Sequence, residues 1–287
     1  MSAAQTGKPQ TGKTQTHQWN GASGCAWVEA QELLDGMYRP LQDLLLQAVP
    51  EGGGERVLDV GCGTGSVVLA AALRLGHEGE CTGVDISEPM IALARERALA
   101  AGSAARFVVA DAQTHAFAAA QFDLILSRFG LMFFNDPIPA FSNLLHATRP
   151  GGALCAVVWR GAVDNPFMTA AERAAAPLLP DLPVRPSEGP GQFAFADPKH
   201  VCAILGAGGW SDIDIRPVDV ECKFPASELS YYLGRLGPVG LALQAVDEAT
   251  RARVLDTVRG AFDPYLQDAY VRFVAACWQV RARRTSR

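Results

Sequence analysis

The sequence predicts an α/β protein built on a parallel sheet with helices on both faces. Three observations carry this. Between residues 56 and 159 strand-like and helix-like runs alternate. The strand-like runs are almost continuously apolar, as strands buried on both faces must be. The first strand also enters its helix through a glycine turn, Gly61-Cys-Gly-Thr-Gly65, where a ligand can approach bare backbone.

Residues 1–16 hold Gly, Thr, Gln and Lys with few large apolar side chains and predict a disordered leader. Residues 17–54 predict two or three helices, because Leu33, Leu34, Met37, Leu41, Leu44 and Leu45 recur at helical spacing before Pro50 and a triple-glycine turn. The core, 55–160, follows. Strand 56–60 leads to helix 65–75, closed by Gly76, and strand 80–85 to helix 88–101, with Ser87 as N-cap and Pro89 in the first turn. Strands 105–110 and 122–127, helix 138–148 and strand 153–159 complete it.

Residues 161–196 predict a loop or lid insert, since seven prolines or glycines fall between 177 and 191. The C-terminal part, 197–287, starts with a helix at 197–206. A strand at 212–223 follows, in which Pro217 implies an edge or a bulge. A helical lid at 226–260 is broken in two at Gly237-Pro238, and the last strand is 271–280.

A formal net charge of −5 gives no general basic footprint for nucleic acid; the arginines at 281–287 read as a solvated end. Seven scattered cysteines without a Cys-x-x-Cys pair read as buried thiols in a reducing compartment. No apolar stretch reaches the length of a membrane span, and the leader lacks a secretory apolar segment. The expectation is a cytoplasmic protein with a small-molecule partner, no nucleic acid and no membrane. Its oligomeric state is open, with a homodimer among the options. No His, Cys and carboxylate cluster has metal-ligand spacing, so no metal is expected.

Parallel strands bring Gly61, Asp85, Asp111 and Ser127 to one edge, where ligands of open α/β sheets bind. A carboxylate at the second strand end can accept both hydroxyls of a ribose. One at the third can accept an exocyclic adenine amine, and Ile86 can lie on the purine face. Asp59 can orient the glycine loop or receive a cationic ligand group. No phosphate-binding Lys follows the loop. The dinucleotide fingerprint wants glycine where Ser66 stands, and Gly65 comes one place early.

Five segments in register resemble the motifs of class I S-adenosylmethionine-dependent methyltransferases of the small-molecule, UbiE-like branch. They are Val57-Leu-Asp-Val-Gly-Cys-Gly-Thr-Gly65, Gly83-Val-Asp-Ile-Ser87, Asp111-Ala112, Phe122-Asp-Leu-Ile-Leu-Ser127 and Arg149-Pro-Gly-Gly152. The resemblance spans about residues 55–160, with a softer match at Trp19-Asn-Gly and Trp27. It implies a Rossmann-like, seven-stranded, mostly parallel sheet whose last strand is antiparallel. It also implies S-adenosyl-L-methionine as cofactor and S-adenosyl-L-homocysteine as product. Gly61, Gly63 and Gly65 would let the cofactor lie on the backbone and Asp85 would hold its ribose. Ile86 and Ala112 would flank the adenine, Asp111 would bind its amine, and Ser127 would face the methionyl group or the acceptor.

Direct SN2 transfer from a sulfonium needs alignment more than covalent help, so no catalytic residue is assigned. Trp19, Trp27, Phe129 and Tyr231 are candidate contacts for an apolar or aromatic acceptor, with Tyr38, Arg128, Met132, Phe133, Phe134, Tyr232 and Arg235 nearby in sequence. His17 and His115 fall near the strand-end rim and read as packing or surface residues. Two other functions compete: a nicotinamide-dependent oxidoreductase, and a non-catalytic S-adenosylmethionine-binding scaffold.

Overall fold

A computed structural model describes residues 11–183, 185 and 189–286. The first ten residues of the expected leader, four positions of the insert and Arg287 lie outside the described residues. From Thr11 onward the chain is helical, which corrects the expectation of disorder for 11–16: α1 (Thr11–Asn20) is followed by α2 (Ala22–Glu29) and α3 (Gln31–Leu46). The apolar stripe of α3 buries Leu34, Met37, Tyr38, Leu41 and Leu45. Each leucine fully buried contributes about 1.5–3 kcal/mol.

The core runs β1 (Arg56–Val60), α4 (Ser66–Leu75), β2 (Glu80–Asp85), α5 (Glu88–Ala100), β3 (Arg106–Val109), β4 (Phe122–Arg128), α6 (Pro137–Ala147) and β5 (Thr148–Trp159). β5 starts five residues earlier than its apolar run, because Thr148 already pairs with Phe122 before a register shift at Leu124.

The expected loop over 161–196 contains a helix, α7 (Pro166–Ala175). Its Phe167 stacks on Phe273 with ring centroids 3.9 Å apart, so an aromatic contact fixes a segment read as irregular. Next come α8 (Pro198–Ala207) and β6 (Ser211–Pro225). The lid is three helices instead of two, α9 (Leu229–Arg235), α10 (Gly237–Ala242) and α11 (Glu248–Gly260), with a second break after Leu243. A two-residue β7 (Leu266–Gln267) turns into β8 (Tyr270–Arg283).

The strand order is β3-β2-β1-β4-β5-β8-β6, seven strands with β7 as an added pairing on β8. The first five are parallel, and β8 inserts antiparallel between β5 and β6. The fold is therefore the expected seven-stranded, mostly parallel sheet between helices. Pro217 lies on edge strand β6 opposite Trp278, while the register irregularity falls at Ser211–Asp214. The chain reverses its strand order at β1, with β2 on one side and β4 on the other. That leaves a crevice beyond their carboxyl ends. Among the described residues no helix is long and apolar enough to cross a membrane.

Candidate functional site

Asp85 closes β2 at the crevice. Its Oδ2 accepts the Gly63 N–H at 2.8 Å and its Oδ1 accepts the Ser87 N–H at 2.9 Å. Burial pushes its carboxyl above the usual range, while the backbone N–H groups of Ser87, Gly63 and Ile86 pull it back. A carboxylate offers about four lone-pair directions, so two such bonds leave acceptor capacity for a ligand.

The three glycines divide by physical cause. All have positive φ, +69° at Gly61, +53° at Gly63 and +86° at Gly65. A β-carbon on Gly65 would stand 2.8 Å from the Phe107 ring, and one on Gly61 2.6 Å from the Gly130 Cα. Only at Gly63 would it meet ordinary contact, with Met90 Sδ at 3.6 Å. The outer glycines are thus required by the protein's own packing.

The loop is also held from outside. Arg97 of α5 donates to the Thr64 carbonyl at 2.6 Å and pairs with Asp35 of α3 at 2.5 Å. Sequence reasoning missed this residue, one of two arginines, Arg95 and Arg97, on a helix whose sequence gives no sign of a loop partner.

Asp59 is buried on β1, and its Oδ1 has no hydrogen-bond partner. Burial pushes its pKa up to about 8, against the pull of Arg128 and with a further push from Asp85. Arg128, just past the apolar run of β4, donates to Ser66 Oγ at 3.0 Å and lies 5.8 Å over the Tyr38 ring. Burial lowers its own pKa.

Ser127 does not present its hydroxyl to the crevice as expected. It is 1% exposed, donates to the Val60 carbonyl at 2.7 Å and accepts the Gly130 N–H at 3.2 Å. It clamps the ends of β1 and β4 together.

A cleft of about 820 Å³ runs along this edge, lined on one side by Ile86, Glu88, Val109, Ala110 and Asp111 and on the other by Thr16, His17 and Asn20 of α1. Asp111 accepts from the backbone and side-chain N–H groups of Gln113 at 3.0 Å. The Gln113 side-chain oxygen in turn accepts the Asn135 N–H at 2.7 Å. Ala112 is in the core behind the wall, its carbonyl held by Asn143 at 3.0 Å. The wall that Ala112 was expected to form is made by its neighbours Val109 and Ala110.

The acceptor candidates fall into three places. Trp19 meets Trp27 and Phe133 edge-on, at 6.1 and 5.2 Å. Phe129 is buried, stacked on Trp159 at 4.5 Å and edge-on to Tyr38. Tyr231 sits on α9 by Glu29 of α2, which pairs with Arg235 at 3.6 Å. The sequence pointed to all four residues. The structure joins Trp19 with Trp27, and leaves Phe129 and Tyr231 in separate surroundings.

Comparison with known proteins adds to this geometry. A family model described as a methyltransferase domain matches residues 57–152. Aklanonic acid methyltransferase of a Streptomyces species is 36% identical over 102 residues, which are 35% of this chain and 46% of that protein. The chain thus spans about half the length of that relative. Nocamycin O-methyltransferase of Saccharothrix syringae is 29% identical over 212 residues, covering 67% of this chain and 71% of that protein. In structure, the Haemonchus contortus phosphoethanolamine N-methyltransferase 2 solved with S-adenosylmethionine aligns with a TM-score of 0.58 at 18% identity. That alignment covers 98% of this chain and 61% of that one, a likeness of fold.

Proposed function

The chain belongs to the class I S-adenosylmethionine-dependent methyltransferases, whose methyl donor is S-adenosylmethionine, and from that premise we propose that it methylates a small apolar or aromatic acceptor by direct SN2 transfer. The observation that carries the reading is a cleft lined by Asp111 and by Ile86, the residue after Asp85, whose carboxylate in turn holds the Gly63 turn, together with the orphaned oxygen of buried Asp59 on the adjoining strand β1. These groups suit the donor. Asp85 has acceptor capacity for ribose hydroxyls, Ile86 and Ala110 offer apolar surface to a purine, and Asp111 can accept its amine. Asp59 lacks a partner of the kind an α-ammonium group would supply.

Bound there, the cofactor supplies a methyl group already electrophilic on a sulfonium. The protein's part is then to orient and to exclude water. Asp85 and Asp111 fix the two ends of the adenosine. Trp19, Trp27 and Phe133 present an aromatic edge near α1, which favours a flat apolar acceptor. The names of the two relatives, for aklanonic acid and for nocamycin, are those of methyltransferases acting on small molecules.

Calorimetric titration with S-adenosylmethionine, S-adenosylhomocysteine and NAD tests the donor. Both sulfur nucleosides are expected to bind at micromolar concentration and NAD not to bind. Failure of both below the millimolar range sinks the reading. Methyl transfer to a panel of phenols, quinols and polycyclic acids then tests the acceptor.

A further inference from the structure

The N-terminus of α5 is capped from an unexpected place. Ser87 stands at the N-cap, yet its side chain makes no capping bond. Its hydroxyl donates to the Trp19 carbonyl at 2.7 Å. The cap comes from Asn20, 68 residues earlier in the chain, whose side-chain oxygen accepts the Glu88 N–H at 2.8 Å. The same amide donates to the Ile86 carbonyl at 3.0 Å and to the Thr16 carbonyl at 2.9 Å. Three consecutive residues after Asp85 are thus tied to two consecutive residues of α1. The close approach also requires Gly24, where a β-carbon would overlap the Trp19 carbonyl and stand 3.1 Å from Ser87 Oγ.

We infer that Asn20 is a positioning residue that latches α1 over the adenosine cleft, so that retention of the cofactor depends on a side chain outside the methyltransferase motifs. The inference rests on the reading of that cleft as the adenosine site. Its second wall, with His17 and Asn20, belongs to α1. Asn20 holds that wall against the turn that carries Asp85 and Ile86. Asn20 is itself exposed, and no buried core of the sheet depends on it. Where a wall is latched only part of the time, the apparent affinity falls by the latched fraction.

The test uses the full chain and S-adenosylhomocysteine as probe. Asn20→Ala is expected to weaken binding roughly tenfold, as loss of two or three hydrogen bonds predicts. The cofactor-free melting temperature should fall only by the few degrees that loss of one helix cap costs, and hydrogen exchange should accelerate in residues 15–20. Asn20→Asp keeps the acceptor for Glu88 N–H but cannot donate to the Ile86 carbonyl, and should fall between the two. Wild-type affinity in Asn20→Ala overturns the inference, as does a loss of melting temperature with no change of exchange confined to α1. Failure of the wild-type protein to bind the probe overturns the reading of the cleft, and this inference with it.

Discussion

Gly61 and Gly130 face each other so closely that neither has room for a side chain: a β-carbon on Gly61 would lie 2.6 Å from Gly130 Cα, and one on Gly130 would lie 2.8 Å from Gly61 Cα. The contact brings the end of β1 against the turn after β4, where Ser127 bridges the Val60 carbonyl and the Gly130 N–H. Phe129, between them, adopts a left-handed φ of +68° that a bulky residue keeps only where its surroundings impose it.

Gly130→Ala is therefore expected to destabilise the protein by about 1–3 kcal/mol, the ordinary cost of overpacking. The backbone at Gly130, with φ −71°, suits alanine, so steric conflict alone is tested. Gly36→Ala on α3, where nothing lies within 4 Å, is the control and should stabilise by about 0.5–1 kcal/mol. Thermal melts of both variants check the pair. Equal melting temperatures for the two would remove the Gly61–Gly130 contact from the account.

Asp85 carries two duties that one substitution exposes. Asp85→Ala removes the acceptor proposed for the ribose and leaves the Gly63 N–H without its partner. Binding of S-adenosylhomocysteine should weaken by about 1.5–3 kcal/mol, the range for hydrogen bonds to a charged group. An unchanged dissociation constant in calorimetry would exclude Asp85 from the cofactor site.

Arg97 tests whether the glycine loop must be held from behind. Its guanidinium bonds the Thr64 carbonyl, and Asp35 fixes it in turn. Arg97→Ala should cost about 1.5 kcal/mol of cofactor affinity. Arg97→Lys should recover only part of it, since one ammonium cannot reproduce the planar fork. The measurement is the same titration, and full recovery by lysine would refute the directional role.

The strand ends were legible because each core strand is an apolar run closed by a distinctive residue, Gly61, Asp85, Asp111 or Ser127. What escaped was decided by partners distant in sequence. Ser87 reads as a cap from its neighbours, and only the Trp19 carbonyl diverts it. Ser127 reads as a site residue from its place at a strand end, whereas the Val60 carbonyl and the Gly130 N–H engage its hydroxyl. Gly61 and Gly65 read as room for a ligand, whereas Gly130 and Phe107 occupy that room. The helix at 166–175 carries a start signal in Pro166 at its first turn, which a reading based on the prolines and glycines between 177 and 191 does not use. The Asn165 side chain pairs with Ala276 of β8, through its oxygen and its amide at 2.9 Å each.

Asp59 gives a prediction whose sign follows from its burial. An unfolded aspartate ionises near pH 4, whereas burial holds Asp59 protonated up to about pH 8 in the folded chain. Between these values the folded state binds a proton that the unfolded state does not. The contribution of this group to stability is therefore full below about pH 4 and is lost as pH rises toward 8, by up to about 1.4 kcal/mol per pH unit. Asp59→Asn should flatten that part of the urea-denaturation profile between pH 5 and 8. Cofactor binding should move the other way. A carboxylate must form before it can accept an ammonium group, so wild-type affinity for S-adenosylhomocysteine should rise from pH 6 to 8. The binding enthalpy should also depend on the buffer's heat of ionisation, because a proton leaves on binding. Asp59→Asn should show a weaker affinity with neither dependence. The same pH slope in both proteins would mean that the proton belongs to another group.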